Sequence, residues 1–101
     1  MPIRDRVLWG GKNPFSDARL QDLPSLIRGF KCGDYRGWHT EVFQNREGNL
    51  PSKPEGYYRE YYAGPRHVTG SLRIVLGKGG EVFVSGNHYD DFRQVFGVPG
   101  I

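Results

Sequence analysis

Residues 41–62 read EVFQNREGNLPSKPEGYYREYY. The stretch opens on Glu41-Val42-Phe43, a short apolar strand, and closes on Tyr57–Tyr62, where four tyrosines surround Arg59 and Glu60. Between them, Gln44–Pro54 carries Pro51 and Pro54, which have no N–H to give a sheet ladder, so this piece is a compact polar loop. A strand, a loop and a strand, with the pattern changing to period two from Glu41 on, predict an antiparallel sheet.

Downstream the period of two continues. Gly64-Pro65 is a turn, and Ser71–Leu76 is a strand with Leu72, Ile74 and Leu76 on one face and Arg73 and Val75 on the other. Gly77-Lys78-Gly79-Gly80 forms a hairpin turn from which Glu81–Ser85 returns. Gly86-Asn87 breaks that strand just before His88, and Tyr89–Phe96 is a last strand or a ragged end. Upstream, 30–40 reads as loop, rich in Gly and charge. Ser16–Gly29 is the good helical stretch, with Leu20, Leu23, Leu26 and Ile27 at helical spacing. Pro24 would remove a hydrogen bond inside it, so two short helices are expected. Asp22 caps the second, Pro24 sits in its first turn and Gly29 closes it. Residues 1–14 form a basic arm or a short leading strand around Val7-Leu8-Trp9.

The fold expected is α+β, one helix or two short ones packed on a three- to five-stranded antiparallel sheet. The helix covers the Leu72/Ile74/Leu76 face, which leaves Arg73 on the solvent side. The same parity groups Tyr58, Glu60 and Tyr62, so an open polar surface with Glu60 facing Arg73 is expected.

With 101 residues, 37% of them hydrophobic and 25% charged, the chain is expected to be one domain, 1–101, that folds. Its net charge of +3 suits a polyanionic partner. Cys32 is the sole cysteine, so no internal disulfide exists. MPIRDRVLWGG has no apolar run of signal-peptide length, and no stretch approaches the ~20 apolar residues of a membrane span. The chain is expected either to stay where it is made or to be the mature or toxic part of a longer precursor. Cys32 and the three histidines lack metal-ligand spacing, and neither metal nor other cofactor is expected.

A carboxylate, an arginine and a histidine near strand ends are the parts that cleave RNA through its own 2′-hydroxyl. That reaction needs a base for the hydroxyl, an acid for the departing 5′-oxygen and a cation for the phosphorane charge. Glu60 can be the base, His88 the acid and Arg73 a planar fork for two phosphate oxygens.

The order and wording of the set are specific. VFQNRE at 42–47, LP at 50–51, GYYREY at 56–61, GSLRI at 70–74 and SGNHYDDF at 85–92 resemble the microbial guanyl-specific ribonucleases, barnase and its extracellular actinobacterial relatives. The resemblance implies the microbial ribonuclease fold, with Glu60 as base, His88 as acid and Arg73 on the phosphate. It implies a guanine site in which backbone amides of Gln44, Asn45 and Arg46 face O6, and Glu47 accepts from N1–H and the amine. Phe43 and Tyr89 would line or stack on the base. A carboxylate that accepts from the Watson–Crick edge selects guanine over adenine, whose N1 carries no hydrogen.

The chain departs from the family pattern where a second arginine is usual, four residues before Arg73; Thr69 stands there, and either Arg66 or His67 reaches the site from a shortened loop or the second cation is missing. The function expected is guanyl-preferring endoribonuclease action on single-stranded RNA, leaving a 2′,3′-cyclic phosphate that is then hydrolysed. A catalytically weakened RNA-binding domain is the rival; Glu60, Arg73 and His88 together argue against it. A toxin role is compatible with the enzyme. An acidic barstar-like inhibitor, a monomeric state and secretion or delivery into target cells are further implications of the resemblance.

Overall fold

The computed structural model describes residues 5–8, 22–63, 72–85 and 92–96, with side chains placed for all but 5–8 and 63. Strand β1 (Asp5–Leu8) precedes helix α1 (Leu23–Lys31), and five strands follow: β2 (Trp38–Val42), β3 (Tyr58–Ala63), β4 (Arg73–Gly77), β5 (Val82–Ser85) and β6 (Phe92–Phe96). They form one sheet in the order β1-β6-β5-β4-β3-β2. From β2 to β6 each strand pairs antiparallel with the next, and β1 adds a parallel edge strand on β6. The α+β class with its antiparallel sheet holds, and the leading segment supplies a sixth strand.

Helix α1 begins as its sequence requires. Asp22 caps it by accepting from the Ser25 N–H at 3.4 Å, and Pro24 occupies the first turn, where no intrahelical N–H is needed. The first of the two expected short helices lies outside the described residues. Gly29 does not close α1, which runs on to Lys31 and ends at Cys32-Gly33, where Gly33 has φ +88°. Gly29 serves a close approach instead: Asp34 N–H donates to its carbonyl at 2.7 Å, and a Cβ there would lie 3.0 Å from the Asp34 carbonyl oxygen. The expected loop at 30–40 is likewise shorter, because Trp38–Thr40 pair with β3 opposite Tyr61–Ala63.

Each face of the sheet has its own core. On one, Leu23, Ile27 and Phe30 of α1 pack on Tyr61, Leu72, Ile74, Leu76, Val82 and Val84, as the alternation predicted. Phe30 stacks on Tyr61 with ring centroids 3.9 Å apart and meets Trp38 edge-on at 5.4 Å. On the other, Phe43 and Leu50 of the 43–57 loop fold over Tyr58, Val75, Phe83 and Phe92. The expectation of an open polar surface therefore fails: Glu60 is 5% exposed and Arg73 is 2% exposed. Alternation identifies two faces but cannot say that a long loop will return over the second one.

Candidate active site

Glu60 and Arg73 reach the second face through register. Read across the strands, one row runs His39, Tyr62, Arg73, Ser85, Phe92 and the next runs Glu41, Glu60, Val75, Phe83, Gln94. Glu60 and Arg73 are diagonal neighbours, about 7–8 Å apart at Cα by strand geometry, within reach of long side chains. Arg73 Nη1 donates to the Leu72 carbonyl at 2.9 Å, and its guanidinium carbon lies 4.9 Å from the Tyr62 ring centre. That cation–π packing, with His39 stacked on the same tyrosine at 5.3 Å, holds the arginine in the row.

Beside the Glu60 row the 43–48 turn walls a cavity of about 400 Å³. Its lining is Glu41 to Glu47 together with Glu60. The shape of this wall depends on Asn45. Its backbone is left-handed, φ +55°, a conformation that asparagine tolerates better than most residues. Its side chain then clamps Leu50 twice: Nδ2 donates to the Leu50 carbonyl at 2.9 Å and Oδ1 accepts from the Leu50 N–H at 3.1 Å. The Asn45 carbonyl in turn accepts from the Gly48 N–H at 3.0 Å. Tyr58 hydroxyl donates to the Pro51 carbonyl at 2.7 Å and anchors the far limb of the loop. Burial, with help from the nearby Glu81 and Tyr57 charges, pushes the Tyr58 phenol up to about 12, so it stays a neutral donor.

Gln44, Arg46 and Glu47 are exposed at the cavity, and Asn45 is half-buried. Phe43 contributes to the cavity wall, but its ring is only 7% exposed and sits edge-on to Tyr58 and Phe92 in the second core. His88, Tyr89, Arg66 and Thr69 lie outside the described residues. The structure thus brings Glu60, Arg73 and the 43–47 loop together. It adds Glu41, which sequence reading took only as the start of a strand. Only the register places Glu41 directly opposite Glu60.

A larger depression of about 650 Å³ lies on the helix side, between α1 and Trp38. Its charged lining is Asp22, Asp34 and Arg36; Asp22 caps α1, and Asp34 and Arg36 form an exposed ion pair at 3.1 Å, whereas the smaller cavity reaches the buried Glu60 and is the better candidate despite its size. Among the described residues no group of three or more His, Cys, Asp or Glu is placed to hold a metal, and no helix is long and apolar enough to cross a membrane.

A family model described as ribonuclease matches residues 8–96. Guanyl-specific ribonuclease St of Saccharopolyspora erythraea is 41% identical over 96 residues, spanning 83% of this chain and 91% of that protein. The crystal structure of ribonuclease Sa2 with guanosine-2'-cyclophosphate is similar with a TM-score of 0.68 and 33% identity, covering 91% of this chain and 96% of that one. Ribonuclease Sa2 with 3'-GMP is similar with a TM-score of 0.67 and 32% identity over the same shares. With the family model matching residues 8–96 and a 41% identical relative covered over 91% of its length, the chain belongs to the microbial guanyl-specific ribonuclease family.

Proposed function

We propose that this chain is a metal-independent endoribonuclease that cleaves single-stranded RNA on the 3′ side of G. The observation that carries the reading is that Glu60 belongs both to the wall of the cavity built by the 43–47 loop and to the row next to Arg73. A guanine seated against the loop therefore puts its own ribose beside Glu60. The Glu60 carboxylate takes the proton from the 2′-hydroxyl, and the 2′-oxygen attacks phosphorus. The bond from phosphorus to the 5′-oxygen breaks as His88, in imidazolium form, gives that oxygen a proton. A 2′,3′-cyclic phosphate remains, and water opens it in the reverse sense. Arg73 acts on the phosphorane charge, already turned and desolvated by its burial under Tyr62.

Guanine selection rests on the loop. Amides at 44–46 suit O6, and the exposed Glu47 carboxylate suits N1–H and the exocyclic amine. Tyr89 supplies stacking and Phe43 supports the wall. Arg66 takes the place of the second phosphate arginine absent at Thr69. The basic balance of +3 favours an acidic inhibitor protein as partner, with fast charge-steered association. An enzyme of this kind endangers its maker, which supports action outside the producing cell or inside a target cell, in a toxin role; every residue assigned above lies in one chain, as suits a monomer.

The test is to incubate the protein with a short RNA in chelator and map the cuts. Cleavage after G with a 2′,3′-cyclic end is expected. Loss of activity in chelator, or equal cutting of 2′-deoxy substrates, overturns the reading.

A further inference from the structure

Three carboxylates line the cavity: Glu41, Glu47 and Glu60. Glu47 and Glu60 have parts in the reaction above, and Glu41 has none. Glu41 is half-buried and pairs directly with Glu60 in the β2–β3 register. Facing residues of an antiparallel pair carry their Cβ atoms about 4.5–5.5 Å apart on one side of the sheet. Two carboxylates so placed, one of them 5% exposed, act on each other more strongly than on an open surface.

We propose that Glu41 is a positioning residue for catalysis: its carboxylate, across the strand pair from Glu60, raises the proton affinity of the base and so sets the acid limit of the enzyme. This rests on the reading of Glu60 as base. The chemical need is plain. An arginine close to a carboxylate stabilises its charged form, and a carboxylate held too firmly in that form is a weak base. Arg73 lies on the diagonal from Glu60, and Arg46 lines the same cavity. Glu41 opposes both from the nearest register position. Among the described residues, the other titratable groups on this side are His39 of β2, Tyr58 and Tyr62 of β3, Glu47 of the loop and, at the far end around Tyr58, Tyr57, Lys53 and Glu81. From β5 and β6 the side presents Phe83, Ser85, Phe92 and Gln94, none of them charged.

The experiment is the pH dependence of kcat/KM on the dinucleotide GpU for the wild type, Glu41→Gln, Glu41→Asp and Glu60→Gln. In Glu41→Gln the acidic limb should move about 0.5–1 pH unit lower, from one charge at this spacing in a partly wet site. The plateau should fall a few-fold as the base weakens. Glu41→Asp should keep the limb near its wild-type place. Raising salt should narrow the gap between the wild-type and Glu41→Gln limbs, because it screens the Glu41 charge in the wild type only and the two arginines in both. An acidic limb unmoved in Glu41→Gln, while Glu60→Gln abolishes it, overturns the role of Glu41 alone. A limb that survives in Glu60→Gln overturns the base assignment itself. Should Glu41→Gln fail to fold, Glu41→Thr, a neutral residue suited to a strand, takes its place, and an acidic limb unmoved in it overturns the proposal.

Discussion

Replacing Asn45 by alanine tests whether the guanine-facing loop is held by one side chain. The change removes both hydrogen bonds to Leu50, at 2.9 and 3.1 Å. Each such bond is worth ~0.5–1.5 kcal/mol net, and stranded Leu50 backbone groups add to the loss, so about 2 kcal/mol follows from the clamp. The left-handed backbone at φ +55° costs alanine about 1 kcal/mol more. The total is about 3 kcal/mol, and glycine, which escapes the backbone term, should lose about 2 kcal/mol. With a urea slope of ~1–3 kcal/mol per molar, the alanine variant's unfolding midpoint should fall by roughly 1–3 M. Activity supplies a second readout. If re-ordering the loop on binding costs ~1.4 kcal/mol, cleavage at GpN falls about tenfold while the ApN background stays put. An alanine variant within 0.5 kcal/mol of wild type, or one no worse than the glycine variant, would refute the account.

Glu47→Ala should reduce cleavage at GpN strongly and leave the ApN background little changed; an equal loss at every base would mean that Glu47 only shapes the loop. The rate profile of the wild type should be bell-shaped, and His88→Ala should remove the basic limb with most of the rate, which steady-state kinetics across pH would show. Arg66→Ala should cost about tenfold or more in kcat if Arg66 stands in for the arginine absent at Thr69, that is ~1.4 kcal/mol or more; an unchanged rate, with a gain in Thr69→Arg, would show an under-charged site instead. Glu81 feels burial, which pushes its carboxyl up, but the Tyr57 hydroxyl bond at 2.7 Å, backbone N–H groups including that of Gly79, and Lys53 outweigh it and hold the group below its ordinary value. Its stabilisation is therefore present above the unfolded-state pKa and lost as pH falls through the lower folded value. Glu81→Gln should flatten the acid side of a stability-versus-pH curve, and an unchanged slope in urea melts at low pH would count against this.

Much of this protein was written in local pattern. Alternation of Leu72, Ile74 and Leu76 named the face that α1 covers, and Asp22 with Pro24 marked where the helix starts, because capping and side-chain period act between near neighbours. The wording around Glu60, Arg73 and the 43–47 loop was enough to name the family and the chemistry. Burial and register were decided elsewhere. Arg73 read as solvent-facing because its neighbours alternate, yet it is enclosed, since β4 lies inside a six-stranded sheet whose second face the 43–57 loop covers with Phe43 and Leu50. Glu41 read as the start of a strand, yet it stands opposite the base, because pairing between β2 and β3 depends on how a long loop closes. Sequence alone determined which side chains are present and which face each prefers, because those choices are local. Which carboxylate meets which, and how much water each keeps, follow from packing between segments far apart in the chain, and only the tertiary structure decided them.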